Sequence, residues 1–125
     1  MIPKFRAWDK VNKKLKQVYS IDFDKDGEIQ SIKEEYTEPN EIYAMFDIGY
    51  FELMQSTGLK DNDGIEFYEK DIVRNIDSEE LGVVEYDEGQ FRVSYNGVSE
   101  QLWEIDKDLQ IIGNIYENPE LLEDN

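Results

Sequence analysis

Residues 81–105, LGVVEYDEGQFRVSYNGVSEQLWEI, give the clearest indication of the fold. Apolar and polar side chains alternate on both sides of two short turns, which is the pattern of half-buried β-strands. The first turn is Asp87-Glu88-Gly89. The second is Asn96-Gly97, a pair typical of type I′ hairpins because both central positions need positive φ. We therefore predict three antiparallel strands, over residues 81–86, 91–95 and 98–105.

The same pattern extends outward in both directions. Further strands are predicted over residues 5–8, 15–23, 28–32, 53–57, 65–68, 71–75 and 109–116. Residues 41–50 have helical spacing after a candidate cap at Asn40, and Asn118-Pro119 predicts a final helical turn. Short strands joined by Gly-bearing turns are typical of a barrel or sandwich. We expect a mostly-β chain with minor helix: an N-terminal β lobe over 1–50 containing the short helix, and a small C-terminal barrel over 51–125.

The composition is that of a folded, water-exposed domain. The chain has 125 residues, of which 39% are hydrophobic and 13% aromatic, enough apolar surface to form a core. No stretch is apolar enough to span a bilayer, and the opening residues MIPKFRAWDK lack the apolar run of a signal peptide. There is no Cys, so disulfides and thiolate metal sites are excluded. We expect a cytoplasmic protein.

The absent residue types also restrict catalysis. Without His or Cys, the chain lacks the usual general base and the thiol nucleophile, and a Ser-His-Asp triad is excluded. No Lys follows an acidic residue by two positions, which excludes nucleases of the D…(D/E)-x-K class, and no Gly-rich phosphate loop is present. We predict that the chain is not an enzyme and needs no cofactor. A hydrolase that uses only carboxylates is the remaining catalytic alternative.

Charge is distributed unevenly along the chain. Residues 1–20 contain six basic side chains and one acidic one, a net charge of +5, whereas the remaining residues contain seven basic and 29 acidic ones, a net charge of −22. The net charge of −17 disfavours direct binding to nucleic acid. The basic segment is expected either to neutralise acidic strands within the chain or to contact the acidic surface of another subunit in a homo-oligomer.

Three segments resemble the YopX family of phage and prophage proteins. They are Ile2-Pro3-Lys4-Phe5-Arg6-Ala7-Trp8-Asp9, the stretch LMQSTGLKDNDGIEFYEKDIV over 53–73, and IGNIYENPELL over 112–122. The resemblance implies an SH3-type barrel in the C-terminal half and a phage or prophage source. It implies no activity and no site residues. The family usually carries Gly where this sequence has Lys70, a departure that we expect to affect a turn.

The central segment is expected to have a structural role. After one strand ends, the chain is predicted to turn at residues 61–64, where Gly64 supplies positive φ. Asp71 precedes a strand, and its carboxylate is expected to accept a backbone N–H of the preceding turn. We assign the structural motif to Thr57, Gly58, Leu59, Asp61, Gly64 and Asp71.

One segment resembles a calcium loop in part. Asp22, Asp24 and Asp26 with Gly27 occupy positions one, three, five and six of an EF-hand, but Lys33 stands where the bidentate Glu is required. The flanking residues are predicted strands rather than helices. These three acids are therefore weak metal candidates, and a hairpin turn is the competing interpretation.

The remaining functional hypotheses concern binding. A small barrel with aromatic side chains suits a protein-binding module, and an acidic rim would select a basic partner. The candidate contact residues are Tyr68, Tyr86, Tyr95 and Trp103. The alternative is an acidic DNA mimic that inhibits a basic host protein, with carboxylates in place of phosphates.

Overall fold

The computed structural model describes residues 4–33, 46–95 and 97–123, with only the backbone of Phe46 included. These residues form two compact units, residues 4–54 and residues 55–123. Most of the described residues lie in antiparallel strands, and the helices are short. The predicted mostly-β class is confirmed.

The N-terminal unit has its own core. Strand β1 lies between β2 and the first part of β6, while β3, β4 and β5 form a three-stranded sheet with β4 in the middle. Ala7, Ile32 and Phe51 are buried together, and Val18, Ile21, Ile48 and Leu53 pack against them. The strands are β1 (Phe5–Asp9), β2 (Lys14–Gln17), β3 (Ser20–Phe23), β4 (Ile29–Lys33), β5 (Phe46–Asp47) and β6 (Phe51–Lys60).

The single strand predicted over residues 15–23 is wrong, because this stretch forms β2 and β3 in different sheets. The Val18 N–H donates to the Phe5 carbonyl at 3.4 Å, whereas the Tyr19 N–H donates to the Lys33 carbonyl at 2.7 Å. The chain therefore changes its pairing partner between these two residues. Tyr19 is 56% exposed and Phe23 60% exposed, so neither aromatic side chain is part of the buried core.

The helix predicted over residues 41–50 is wrong where the structure describes it. Phe46 pairs with Ile32 as part of β5, and residues 48–50 form one turn of 3-10 helix. The Asp47 carboxylate accepts the Gly49 N–H at 2.7 Å and so caps this turn, which fixes its start after the strand. Residues 41–45 and the candidate cap Asn40 lie outside the described residues.

The C-terminal unit contains a five-stranded sheet in the order β11-β10-β9-β8-β12, curled into a half-barrel. A short strand, β7, pairs with β6 beside it. The inner face of the sheet buries Val73, Val84, Val93 and Leu109, together with Phe67 and Leu102. The strands are β7 (Glu66–Tyr68), β8 (Asp71–Asn75), β9 (Leu81–Asp87), β10 (Gln90–Tyr95), β11 (Val98–Gln101) and β12 (Leu109–Asn114).

Both hairpins predicted around β10 are present. Phe91 pairs with Tyr86, and Tyr95 pairs with Val98 across a two-residue turn. Gly97 has the positive φ of +84° that this turn requires, while Asn96 lies outside the described residues.

Two predicted strands are too long. The strand predicted over 98–105 ends at Gln101, and residues 102–105 form the helix α1 (Leu102–Ile105), which places Leu102 in the core and Ile105 against it. The strand predicted over 109–116 ends at Asn114. The Asn114 side-chain oxygen accepts the N–H groups of Tyr116 at 3.0 Å and Glu117 at 2.9 Å, so the chain turns after Asn114.

Candidate functional site

A cleft of about 270 Å³ opens on the C-terminal unit. One wall is the loop between β8 and β9, and the other is the end of the β10–β11 hairpin, as the lining residues show. Sites that enclose a drug-sized ligand usually measure roughly 300–1,000 Å³. The volume of the cleft lies just below this range. It is lined by Asn75, Ser78, Glu80, Tyr95, Val98 and Glu100.

Hydrogen bonds within the β8–β9 loop set the position of Glu80. The Asn75 side-chain oxygen accepts the N–H groups of Asp77 at 2.9 Å and Ser78 at 3.0 Å. The Asn75 N–H donates to the Glu80 carbonyl at 2.9 Å, and the Glu80 N–H donates to the Ser78 hydroxyl at 3.3 Å. Asn75 thus closes the loop and holds Glu80 at the cleft.

Gly82 leaves room for the Tyr95 ring. Val84 pairs with Val93 in the β9–β10 register, which places Gly82 opposite Tyr95 on the inner face. A Cβ atom added at Gly82 would lie 2.7 Å from Val93 Cγ1 and 3.2 Å from Tyr95 Cδ1. A side chain at residue 82 would therefore collide with Val93 and crowd the edge of the Tyr95 ring.

The Tyr95 hydroxyl is enclosed beside the Asn75 amide. Its oxygen exposes less than 1 Å² to solvent, and no described residue meets full hydrogen-bonding geometry with it. Burial raises the pKa of Tyr95; the nearby Asn75 amide opposes this effect, and the Glu100, Glu80 and Asp108 carboxylates add to it. An unpaired buried hydroxyl costs free energy.

Two carboxylates flank this hydroxyl without a cation to neutralise them. Glu80 and Glu100 are both exposed, and neither forms an ion pair with another residue of the described chain. Val98, which also lines the cleft, is 61% exposed. The cleft therefore presents negative charge beside an exposed apolar side chain.

Of the four predicted contact aromatics, the cleft contains Tyr95. Tyr86 lies on the same face, 53% exposed and edge-on to Phe91 with ring centroids 5.1 Å apart. Its partner Phe91 is four residues from Tyr95 along β10, or roughly 13 Å at the usual rise per residue. Tyr68 is half-buried in β7 and does not line the cleft.

Trp103, the fourth contact aromatic, lies on α1 and is 62% exposed. Its indole Nε1 donates to the Gln101 side-chain oxygen. Gln101 pairs with Arg92, one residue out of phase with the inner-face Val93, so this contact lies on the outer face of the sheet. Trp103 is therefore separate from the cleft.

The Asp22–Asp26 segment forms a hairpin turn. The Asp24 carboxylate accepts the N–H groups of Asp26 at 2.9 Å and Glu28 at 3.0 Å, and Asp22 accepts the Ser31 hydroxyl at 3.4 Å. Within the described chain, no three acidic side chains form a group that could hold a metal ion. Asp24 therefore contributes to the turn that joins β3 to β4.

The predicted structural motif holds turns together. The Asp61 carboxylate, 2% exposed, accepts N–H groups from Asp63 at 2.9 Å, Ile65 at 2.8 Å and Ile111 at 2.9 Å. The Asp71 carboxylate accepts the Tyr68 N–H at 2.7 Å, the kind of contact predicted for it from the sequence. Both acids are buried, so these bonds offset the cost of removing them from water.

The rest of the motif shapes β6. The Thr57 hydroxyl donates to the Phe67 carbonyl at 3.1 Å and accepts the Leu59 N–H at 3.1 Å. Gly58 and Gly64 have φ of +78° and +83°. The motif therefore serves the β6–β7 hairpin and its turn.

Sequence reasoning missed most of the cleft. The sequence did not predict five of its lining residues: Asn75, Ser78, Glu80, Val98 and Glu100. Nothing in the local sequence distinguishes two exposed acids among thirty, and loop residues show no periodic pattern. Gly82 was a readable signal: a Gly inside a strand often marks a close approach of another group.

The family model for YopX protein matches residues 4–123. The chain belongs to the YopX family. The matched range includes both units, so the resemblance carried by three short segments extends across the described chain. No curated protein matches this YopX-family chain.

Two solved structures resemble it over nearly their whole lengths. Protein EF1440 from Enterococcus faecalis is 31% identical with a TM-score of 0.78, and the match covers 98% of this chain and 99% of that one. Protein yopX from Bacillus subtilis is 22% identical with a TM-score of 0.65, covering 96% of this chain and 98% of that one, which shows a shared fold. Among the residues that the structure describes, no helix is long and apolar enough to cross a membrane.

Proposed function

We propose that this YopX-family chain is a phage- or prophage-encoded cytoplasmic protein that binds a basic segment of a partner protein and catalyses no reaction. The observation that carries the proposal is the cleft. Its exposed carboxylates Glu80 and Glu100 lack a cationic partner in the described chain and stand beside exposed Val98. A basic side chain with an apolar neighbour is complementary to this surface.

The overall charge supports the same partner chemistry. Residues 21–125 carry a net charge of −22, counted from seven basic and 29 acidic side chains. A field of this sign attracts basic segments from a distance and speeds their encounter with the cleft. It also repels nucleic acid, because phosphates carry the same sign.

The free edge of the sheet is a less suitable docking site. β11 is the outermost strand, and its Ser99 carbonyl points away from β10 in the observed register. The Arg92 guanidinium donates to this carbonyl at 3.1 Å and to the Ser99 hydroxyl at 2.6 Å. An added strand would have to displace Arg92, so we place the partner in the cleft.

The carboxylate-only hydrolase has less support from the same cleft. A carboxyl acting as general acid needs shielding from water, because burial is what favours its protonated form near neutral pH. Glu80 and Glu100 are both exposed. Exposed carboxylates suit the recognition of a cation.

The test is capture of partners from bacterial host lysate by the immobilised full chain, at low and at high salt. The double variant Glu80→Gln/Glu100→Gln removes the charge of the cleft. Its matched control, Asp26→Asn/Glu28→Gln, removes two exposed charges from the β3–β4 hairpin. We expect a basic protein that is captured by the wild type and the control, lost from the cleft variant, and released by high salt.

Three outcomes would contradict the proposal. Equal capture by the cleft variant and its control would show that the cleft is not the binding site. Competition by duplex DNA for the captured protein would favour the DNA-mimic alternative. A salt-sensitive increase in the mass of the purified chain, lost in the cleft variant, would show that a second copy of this chain occupies the cleft.

A further inference from the structure

We infer that copies of this chain bind one another through two different hairpins: the tip of the β1–β2 hairpin of one copy contacts the tip of the β9–β10 hairpin of the next. The basic tip is residues 10–14, and the acidic tip is residues 86–91. Each carries an exposed apolar side chain beside exposed charges, and the charges of the two tips have opposite signs. Neither tip lines the cleft, so this contact is separate from the proposed function.

The basic tip has a charge opposite to that of the molecule as a whole. Val11 is 66% exposed, and the neighbouring side chains of Lys10, Lys13 and Lys14 are exposed as well. Lys10 pairs with Glu52 at 3.0 Å, whereas the other two lysines form no ion pair with another described residue. The tip therefore presents two uncompensated positive charges beside an apolar side chain.

Hydrogen bonds hold the basic tip in one conformation. The buried Asp9 carboxylate accepts the N–H groups of Val11 at 2.9 Å and Asn12 at 3.0 Å. The Asp9 carbonyl accepts the Lys13 N–H at 2.8 Å, and Lys13 has a positive φ of +57° that closes the turn. A surface that is already ordered loses less conformational entropy on binding.

The acidic tip presents the complementary surface. Asp87 and Glu88 are exposed and form no ion pair with another described residue. Tyr86 beside them is 53% exposed, and its ring is edge-on to Phe91. Glu88 and Gly89 have φ of +51° and +80°, the two consecutive positive values of a type I′ turn, so this tip is also a tight hairpin. An exposed Tyr held by a neighbouring ring suits a binding contact, since Tyr is enriched among the residues that contribute most to interfaces.

Charge complementarity identifies the bound molecule as a second copy of this chain. Residues 1–20 carry a net charge of +5 and residues 21–125 a net charge of −22, so the chain itself supplies an acidic surface for its basic segment. Val11 and Tyr86 are both exposed in the single chain, and contact between the tips would bury part of each. Because two different surfaces meet, the contact is heterologous and builds a ring or an open row of copies.

The contact is expected to be weak and to depend on salt. Two hairpin tips bury less than the roughly 1,200 Å² of a stable interface, which is the range of transient complexes. Two molecules with a net charge of −17 repel each other at long range, whereas opposite charges in contact attract over a few ångströms. The Debye length is about 8 Å at 0.15 M salt and about 3 Å at 1 M. Association should therefore be strongest near physiological salt and be lost near 1 M.

The test is the mass of the purified full chain in sedimentation equilibrium over a series of protein concentrations. In about 0.15 M NaCl we expect the mass to rise above the 14.8 kDa of one chain, with a dissociation constant on the order of 100 µM. In about 1 M NaCl it should return to the mass of one chain. The same series on the ¹⁵N-labelled chain should shift the backbone amides of Val11, Lys13, Tyr86 and Glu88.

Charge-reversal variants test whether the two tips contact each other. Lys13→Glu/Lys14→Glu and Asp87→Lys/Glu88→Lys are each expected to weaken self-association about tenfold or more. An equimolar mixture of the two should associate again, because the reversed tips carry opposite charges. Amide spectra of each variant verify the fold. Two controls make the same changes in net charge at other exposed residues and should associate as the wild type does: Lys25→Glu/Lys107→Glu and Asp26→Lys/Glu28→Lys.

The contact between the tips is disproved by a mass that stays at 14.8 kDa at every concentration, by equal loss in the controls, or by a mixture that does not associate. Capture of an acidic lysate protein that depends on Lys13 and Lys14, without self-association, would also disprove it and assign the basic tip to another partner. The cleft variant Glu80→Gln/Glu100→Gln keeps both tips, so self-association should persist in it. Loss of self-association in that variant would place the second copy in the cleft instead. Failure of the tip contact leaves capture of a basic protein by the cleft, and hence the proposed function, unaffected.

Discussion

Four buried polar side chains lie in the three segments that resemble the family. Asp9, Asp61, Asp71 and Asn114 are at most 4% exposed, and each accepts one or more backbone N–H groups. A buried carboxylate or amide is tolerated when hydrogen bonds replace its water, so each of these residues requires a particular turn around it. All four lie in the three family segments, whereas the cleft residues lie outside them. These segments therefore encode the fold.

The contribution of the buried Asp9 carboxylate to stability can be measured by varying the pH. The pKa of Asp9 lies below its usual 3.8, chiefly because the Asn12 N–H and then the Asn12 side-chain amide donate to the carboxylate. Burial raises this pKa, whereas the Val11 N–H and the charge of Lys16 lower it further. A carboxyl with a lowered pKa in the folded state stabilises the fold above its unfolded-state value. That contribution is lost as the pH falls through the folded-state pKa.

We therefore predict a pH-dependent difference between the wild type and Asp9→Asn. In urea unfolding, the wild type should be more stable by a constant amount above about pH 5, and the difference should shrink as the pH falls below about 4. Using the difference cancels the titration of the other carboxyls. A difference that is the same at every pH would show that the charge of Asp9 does not contribute to stability.

Lys70 shows strain at a single residue. Its φ is +72°, a conformation that costs a non-Gly residue about 1–3 kcal/mol. The backbone is held there because the Lys70 N–H donates to the Val84 carbonyl at 2.7 Å and its carbonyl accepts the Ile115 N–H at 3.0 Å. Lys70, which we expected to affect a turn, thus lies in a left-handed turn, where Gly has no steric cost.

Lys70→Gly is predicted to raise the free energy of unfolding by about 1 kcal/mol. Relief of strain exceeds the entropy that Gly adds to the unfolded chain and the loss of the exposed ion pair with Glu85, whose atoms are 3.7 Å apart. Lys70→Ala is the control in denaturant unfolding, because it loses the ion pair and keeps the strain. Equal stability of the two variants would contradict the prediction.

At the scale of elements, hairpins were predictable from the sequence and changes of partner were not. The β9–β10 and β10–β11 hairpins follow from alternation and local turn residues, as does the β3–β4 turn. Residues 15–23 alternate except at Gln17 and Val18, which are out of phase, and the strand divides there because Phe5 and Lys33 offer different pairing partners. Such partners are remote in sequence, so no local pattern reports them.

The cleft was unpredictable for the same reason. One wall comes from the end of β8 and the β8–β9 loop, and the other from Tyr95, Val98 and Glu100 of the β10–β11 hairpin; the strand order of the sheet brings them together. Tyr95 was predicted as a contact residue from its place on a strand. Glu80 and Glu100 could be recognised as cleft residues only from their position beside Tyr95 in the folded chain.

Gly82 affects how two neighbouring strands, β9 and β10, pack against each other. We predict that Gly82→Ala destabilises the C-terminal unit by about 1–3 kcal/mol, since the new methyl group must displace Val93 and the Tyr95 ring. Thermal unfolding measures the loss, and near-ultraviolet circular dichroism reports the changed packing of the ring. Gly89→Ala is not a suitable control because its φ is +80°, so Ser94→Ala, on the outer face of β10, serves instead.

At the scale of the whole molecule, the excess of carboxylates affects stability and binding in opposite directions. A net charge of −17 on 125 residues repels itself and destabilises the folded state, while the same field attracts a basic ligand to the cleft. Salt shortens the range of both effects, from a Debye length of about 30 Å at 0.01 M to about 10 Å at 0.1 M.

We therefore predict that salt stabilises the fold and weakens the complex. Between about 0.01 and 0.3 M NaCl, the melting temperature of the free chain should rise while its capture of a basic partner protein weakens. Differential scanning calorimetry measures the first effect, and capture from lysate at each salt concentration measures the second. The cleft variant Glu80→Gln/Glu100→Gln removes two of the repelling charges, so it should melt at a higher temperature than the wild type at low salt and approach it at high salt. A melting temperature that falls with added salt would contradict the prediction. It would mean that attractive ion pairs, such as that between Lys10 and Glu52, outweigh the repulsion between the carboxylates.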